Sequence, residues 1–179
     1  VTRLLAVEPD DGFAAQFRVS HPDRELLHGT AAAVPTDENW RALVSVNVLE
    51  HIRDDEAELA IWRKLLAPAG GHLCLFVPAR QEIYAPLDKD FGHFRRYTKP
   101  ELQAKLEAAG YEVTRICYFN FIGYFAWWLN FVVLEQRTFK RGSVRFFDRM
   151  IFPWAHALES NLCRPPIGQS LLAIARAKP

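Results

Sequence analysis

Cysteine is scarce in this chain. Its three cysteines, Cys74, Cys117 and Cys163, are odd in number, widely spaced and in no CxxC pair. That argues against a disulfide framework or a zinc-binding cysteine cluster, and it fits a reducing cytoplasm. Net charge is nearly absent as well, with 22 basic against 21 acidic side chains, so no global field points to a nucleic-acid partner. There is no internal repeat, no low-complexity tract and no GxGxxG. Solenoids and disordered tails are set aside, and a dinucleotide-binding dehydrogenase is a poor reading. No signal-peptide pattern opens the sequence, and it starts at Val1 rather than Met, so a start inside a longer reading frame is expected.

What is present is a globular composition, 50% hydrophobic and 24% charged. The 179 residues suffice for one domain with a sizeable core. Character shifts along the chain: residues 1–134 carry a net charge of −4 and residues 135–179 a net charge of +5, with aromatics crowding the second half.

Apolar runs predict strands at residues 3–7, 25–28, 42–46, 72–77, 112–118 and 170–177, each bounded by turn residues. Between them lie helical patterns. One is short, at residues 12–17. A second begins near Asp55, which has capping-box spacing to Glu58, runs through Leu59, Trp62 and Leu66, and stops at Pro68 and Gly70-Gly71. The clearest runs from Thr98 to Gly110, with Glu101 closing a capping box, Leu102, Leu106 and Ala109 as its buried stripe, and Gly110 at the C-cap. Residues 79–97 lack a period and are expected to form a long loop. Strands alternating with helices predict an α/β fold with a parallel sheet, whose ligands bind beyond the carboxyl ends of the strands.

An ordered set of segments resembles the class I S-adenosylmethionine-dependent methyltransferases. They are Glu8-Pro9-Asp10 after the first strand, SVNVLEHI at residues 45–52, and LAPAGG at residues 66–71 before the strand at 72–77. The stretch HFRRYT at residues 93–98, followed by Leu102 and Ala109-Gly110-Tyr111, is similar to one bacterial subgroup. The resemblance implies a Rossmann-like, mainly parallel sheet with flanking helices from residues 1–120 and 167–179, and a helical, aromatic-rich cap from residues 121–166. It also implies a first strand and Gly-rich loop before Val1, the strand lying between those at residues 3–7 and 42–46. The fold is therefore expected to be incomplete on its N-terminal side. Arg41 stands where the family usually has Asp.

The resemblance implies methyl transfer from S-adenosylmethionine, with no metal, to a small or lipid-linked acceptor. Glu8 would accept bonds from the ribose hydroxyls, being acceptor-only. Pro9 beside it, Thr30 and Ala31 near the adenine, and Asn47 and Val48 at the methionine end complete the cofactor set. Each has a plainer role as turn or cap residue. An in-line displacement needs alignment and an acceptor for any proton lost. His51, His93 and Tyr97 are the catalytic candidates. Arg95 and Arg96, whose forks suit an anionic group, and Trp128 are the substrate-binding ones. The alternative for this cluster is structural: Glu50 and His51 ordering their turn, and an arginine anchoring the loop to Asp88 or Asp90.

Residues 116–134 carry no charge, nominally enough to span a bilayer as helix. The segment opens as a strand, however, and Asn120, Gly123 and Asn130 interrupt it. Phe121, Tyr124, Phe125, Trp128, Phe131 and Val132 follow helical spacing and are expected to be core. Basic residues from Arg137 to Arg149, with aromatics among and after them, make a membrane-surface or homodimer contact the alternative to a substrate cap. A catalytically inactive, methyltransferase-like binding or membrane-peripheral module is the rival to the enzyme.

Overall fold

Capping and turn chemistry set the element boundaries. In the computed structural model, which describes residues 3–138 and 165–178 together with Gly142, Arg145, Arg149, Met150 and Pro153, β1 (Leu5–Glu8) ends at Pro9. Asp10 then caps α1 (Asp11–Ser20) by accepting from the Phe13 amide. Next come β2 (Glu25–His28), β3 (Ala42–Val46), α2 (Asp55–Leu66), β4 (His72–Pro78), α3 (Pro86–Asp90), α4 (Lys99–Ala108) and β5 (Tyr111–Phe119). Last are α5 (Phe121–Trp127), which passes into a π-helical turn over Trp128–Val133, and β6 (Ser170–Ala177). The α4 signals act as the sequence implies: Thr98 and Glu101 form a reciprocal capping box, and Gly110 takes a left-handed backbone at φ 89°. The start of α2 differs from expectation. Asp54, not Asp55, accepts the Ala57 amide, which frees the Asp55 side chain to turn inward.

The strands form two sheets. In the larger, the order is β3-β4-β6-β5. There β3 and β4 run parallel, while β6 is antiparallel to both β4 and β5, so β3, β4 and β5 share one direction. In the smaller, β1 pairs with β2 in parallel. Among the described residues no ladder joins β1 to β3, and Val7, Val44 and Val46 are exposed. The small sheet is tied on by Arg3, which pairs with Glu25 and Glu38 and lies 5.2 Å over the Trp40 ring. Trp40 and Ala31 in turn pack on the main core.

That core sits between the large sheet and α2 and α4. Leu59, Trp62, Leu66, Leu102 and Leu106 meet Leu73, Leu75 and Val77 from β4 and Leu171 from β6. Removing apolar surface from water is its main stabilising term. A second, smaller cluster joins Ile83, Ala85 and Leu87 of the long loop to Trp127 and Phe131. The helical spacing of residues 121–132 is therefore core only in part, and its phase is shifted. Trp127 points in, whereas Phe125 and Trp128 are exposed. The buried face runs through Gly123, Trp127 and Phe131, which pack toward the long loop rather than along the stripe of largest aromatics.

No helix among the described residues is long and apolar enough to cross a membrane. Most of the expected cap beyond residue 138, including Lys140, Arg141, Phe146, Phe147, Phe152 and Trp154, lies outside the described residues, as does Cys163.

Candidate functional site

Because β3, β4 and β5 point the same way, their carboxyl ends share one edge of the sheet. Each is followed closely by a non-glycine residue with left-handed backbone: Asn47 at φ 52°, Arg80 at φ 70° and Asn120 at φ 61°. Such conformations cost free energy for an L-residue and gather at sites where the chain must turn sharply beside a ligand. Asparagine tolerates them well; in the sequence Asn47 reads as a cap after a strand and Asn120 as a break in an apolar run. Arg80 gave no signal.

The sequence-derived cofactor residues lie at these strand ends and those of β1 and β2. Glu8 closes β1, with its carboxylate held by the Asp10 amide at 2.9 Å and only half-buried. Pro9 follows it. Thr30 and Ala31 open the turn after β2, and Thr30 makes no side-chain cap bond. Asn47 extends the β3–β4 ladder through its amide to Phe76 O at 2.9 Å, and its neighbour Val48 is exposed. These strand ends thus present an accessible carboxylate, an uncommitted hydroxyl and an accessible amide.

The long loop is not irregular throughout. It closes on itself where Ala79 bridges Tyr97 in parallel, and it contains α3. Asp88 of α3 is its hub. This fully buried carboxylate accepts from the Ala85 amide at 2.8 Å, from His93 Nδ1 at 2.8 Å and from Arg96 Nε and Nη2 at 3.0 and 2.9 Å. Burial works against its charge, but the donors from His93 and Arg96 outweigh burial and hold its pKa below the usual carboxylate value. The Arg96 guanidinium lies 4.4 Å over Trp127, whose indole N–H donates to Ile83 O.

The structure brings His51 and His93 together, with ring centroids 4.6 Å apart. Glu50 lies between them and the core, fully buried, and neither of its carboxylate oxygens has a hydrogen-bond partner. Burial pushes its pKa up to about 7, partly offset by His93 and Arg96. Burial also lowers the pKa of His51, as does the neighbouring His93.

Tyr97 is placed differently from expectation, and Arg96 takes the anchoring alternative, on Asp88, rather than the substrate-binding one. Tyr97 is completely buried and donates to Asp55 at 2.9 Å, and burial beside that carboxylate raises its pKa. A phenol so held neither reaches an acceptor nor ionises near neutrality. Arg96 is 2% exposed and is spent on Asp88 and the Ala79 carbonyl. For both residues the corrected role is to fasten the loop. Arg95 is the more accessible arginine, pairing with Asp55 at 2.7 Å and donating to Arg53 O. Trp128 is exposed.

No family model matches the chain, and no curated protein matches it in sequence. Solved structures do match in shape. An S-adenosylmethionine-dependent methyltransferase from Mesorhizobium loti superposes with a TM-score of 0.61 at 17% identity, over 98% of this chain and 81% of that one. One from Thermotoga maritima gives 0.62 at 19%, over 97% and 72%. The 1,6-didemethyltoxoflavin-N1-methyltransferase of Burkholderia thailandensis, solved with its acceptor and S-adenosylhomocysteine, gives 0.55 at 15%, over 99% and 62%. Strand order, helix placement and this set of neighbours agree: the chain has the fold of the class I S-adenosylmethionine-dependent methyltransferases.

Proposed function

We propose that this protein is a methyltransferase that uses S-adenosylmethionine and acts on a small or lipid-linked acceptor. The observation that carries the reading is that Glu8, Thr30 and Asn47 lie at the carboxyl ends of β1, β2 and β3, because that is where ligands bind in open α/β sheets. Glu8 would hold the ribose, Thr30 and Ala31 the adenine, and Asn47 and Val48 the methionine end. The cofactor supplies an electrophilic methyl group. The protein's part is to orient the acceptor, exclude water and receive a proton. His51 and His93 are the groups placed to take that proton. The loop of residues 79–97 and α5 would cover the acceptor, with Arg95 the arginine still accessible to an anionic group.

A second reading is a methyltransferase-like module without activity, peripheral to a membrane or bound to a partner. The observation favouring it is the lack of any ladder between β1 and β3 among the described residues, which leaves the two halves of the cofactor set on separate sheets. Calorimetric titration of S-adenosylhomocysteine decides between them. Saturable binding that Glu8→Ala abolishes, with the melting temperature unchanged, supports the enzyme. A folded protein that binds none supports the module.

A further inference from the structure

Glu50, buried beside His51 and His93, has no role in that reading. One ligand atom from each lies within 4.8 Å of the other two. We infer that these three side chains form a binding site for a first-row divalent transition ion, of which Zn2+ is the natural probe.

Four features carry the inference. First, the donor set is two imidazoles and one carboxylate, which suits zinc and its neighbours and leaves coordination positions open. Second, Glu50 is fully buried with both oxygens unpartnered. A buried carboxylate normally has its hydrogen bonds made, and a bound cation would satisfy both oxygens at once. Third, His93 is already oriented as a ligand. Its Nδ1 is tied to Asp88 at 2.8 Å, leaving Nε2 free to face Glu50 Oε1 at 4.0 Å. A carboxylate behind a ligating histidine fixes its tautomer and raises its basicity. Fourth, the backbone locks the arrangement, with the Phe94 amide donating to Glu50 O at 2.8 Å and the His93 amide to Asp88 O at 2.9 Å.

Zinc–ligand bonds of about 2.0–2.2 Å put ligand atoms roughly 3.3 Å apart in a tetrahedron, so the set must draw in from its present spacing on binding. His51 is exposed and gives the ion its path from solvent. An ion held there would occupy the imidazole nitrogens that methyl transfer would use to take a proton, so the two roles exclude each other at these histidines, and the test reads metal binding alone.

Protein stripped with chelator and titrated with ZnCl2 in a calorimeter is expected to bind one equivalent. Glu50→Gln is expected to weaken binding at least about tenfold, the lower bound for loss of even an outer-sphere group. His93→Ala is expected to abolish it, and His72→Gln, at the exposed start of β4, to leave it unchanged. Diethyl pyrocarbonate labelling of the wild-type protein keeps the test independent of variant folding. ZnCl2 is expected to protect His51 while His72 stays reactive. No saturable binding, binding that survives Glu50→Gln in a folded variant, or no protection of His51 would each overturn the site.

Discussion

Tyr97 and Asp55 are joined by a buried hydrogen bond of 2.9 Å across 42 residues of sequence. It fastens the last turn of the long loop to the first turn of α2. Arg95 and Lys105 reach the same carboxylate at 2.7 and 3.0 Å, so one inward-turned aspartate holds the loop, α2 and α4 together. Removing a buried partner leaves the others desolvated and unpaired. Tyr97→Phe is expected to destabilise the fold by about 1–2 kcal/mol, and Asp55→Ala by about 3 kcal/mol, both measured by urea unfolding. A Tyr97→Phe protein as stable as wild type would show that the bond contributes nothing net.

The same aspartate predicts an acid limb. Burial alone would raise its pKa, but donors from Arg95, Lys105 and Tyr97 outweigh burial and lower it. A group whose folded pKa is depressed stabilises the protein at pH values above its unfolded value and loses that contribution as pH falls through the folded one. Stability is therefore expected to decline from about pH 5 downward, since an unfolded aspartate titrates near 3.9. Asp55→Asn is expected to be less stable at neutral pH and to lose less between pH 5 and pH 3. Equal slopes for the two proteins, in unfolding titrations across that range, would remove Asp55 from the account.

Why some of this was legible in sequence and some not comes down to range. Thr98, Glu101 and Gly110 act within one helix, and β3, β4 and β6 are short apolar runs between turn residues, so local chemistry marks them. The antiparallel insertion of β6 between β4 and β5 is a matter of long-range pairing that no local pattern carries. The site divides in the same way. Asn47 follows a strand and is visible as a cap. The hub at Asp88 gathers Ala85, His93 and Arg96 by folding a loop back on itself, and neither its burial nor its choice of Arg96 over Arg95 is written in the spacing. Trp127 and Trp128 are adjacent and equally apolar, and which one enters the core is set by contact with Ile83 and Leu87 of the distant loop.

The hub makes its own prediction. Arg96 and Asp88 are both almost wholly buried, and breaking such a pair costs about 3–5 kcal/mol because one charge stays behind uncompensated. Arg96→Ala is expected to cost an amount in that range and to expose residues 79–97 to limited proteolysis, since α5 loses the guanidinium on Trp127. Arg96→Lys is expected to recover only part, because an ammonium lacks the planar fork that meets Asp88 with two nitrogens. Arg95→Ala, at a side chain 23% exposed, is expected to cost about 1 kcal/mol. Equal effects at the two arginines would contradict the assignment of the anchor to Arg96.

Asn47 separates conformation from recognition. Its backbone at φ 52° suits glycine without strain, whereas alanine there meets the left-handed penalty of about 1–2 kcal/mol. Asn47→Gly should therefore leave the melting temperature close to wild type, and Asn47→Ala should lower it. Binding of S-adenosylhomocysteine follows a different order if the amide side chain touches the methionine end, for then both variants lose it alike. The expected result is a loss of at least about tenfold for each, the size of one charge-assisted hydrogen bond. An Asn47→Gly protein that binds as wild type does would make the asparagine a turn residue alone and shift the burden of cofactor binding to Glu8 and Thr30.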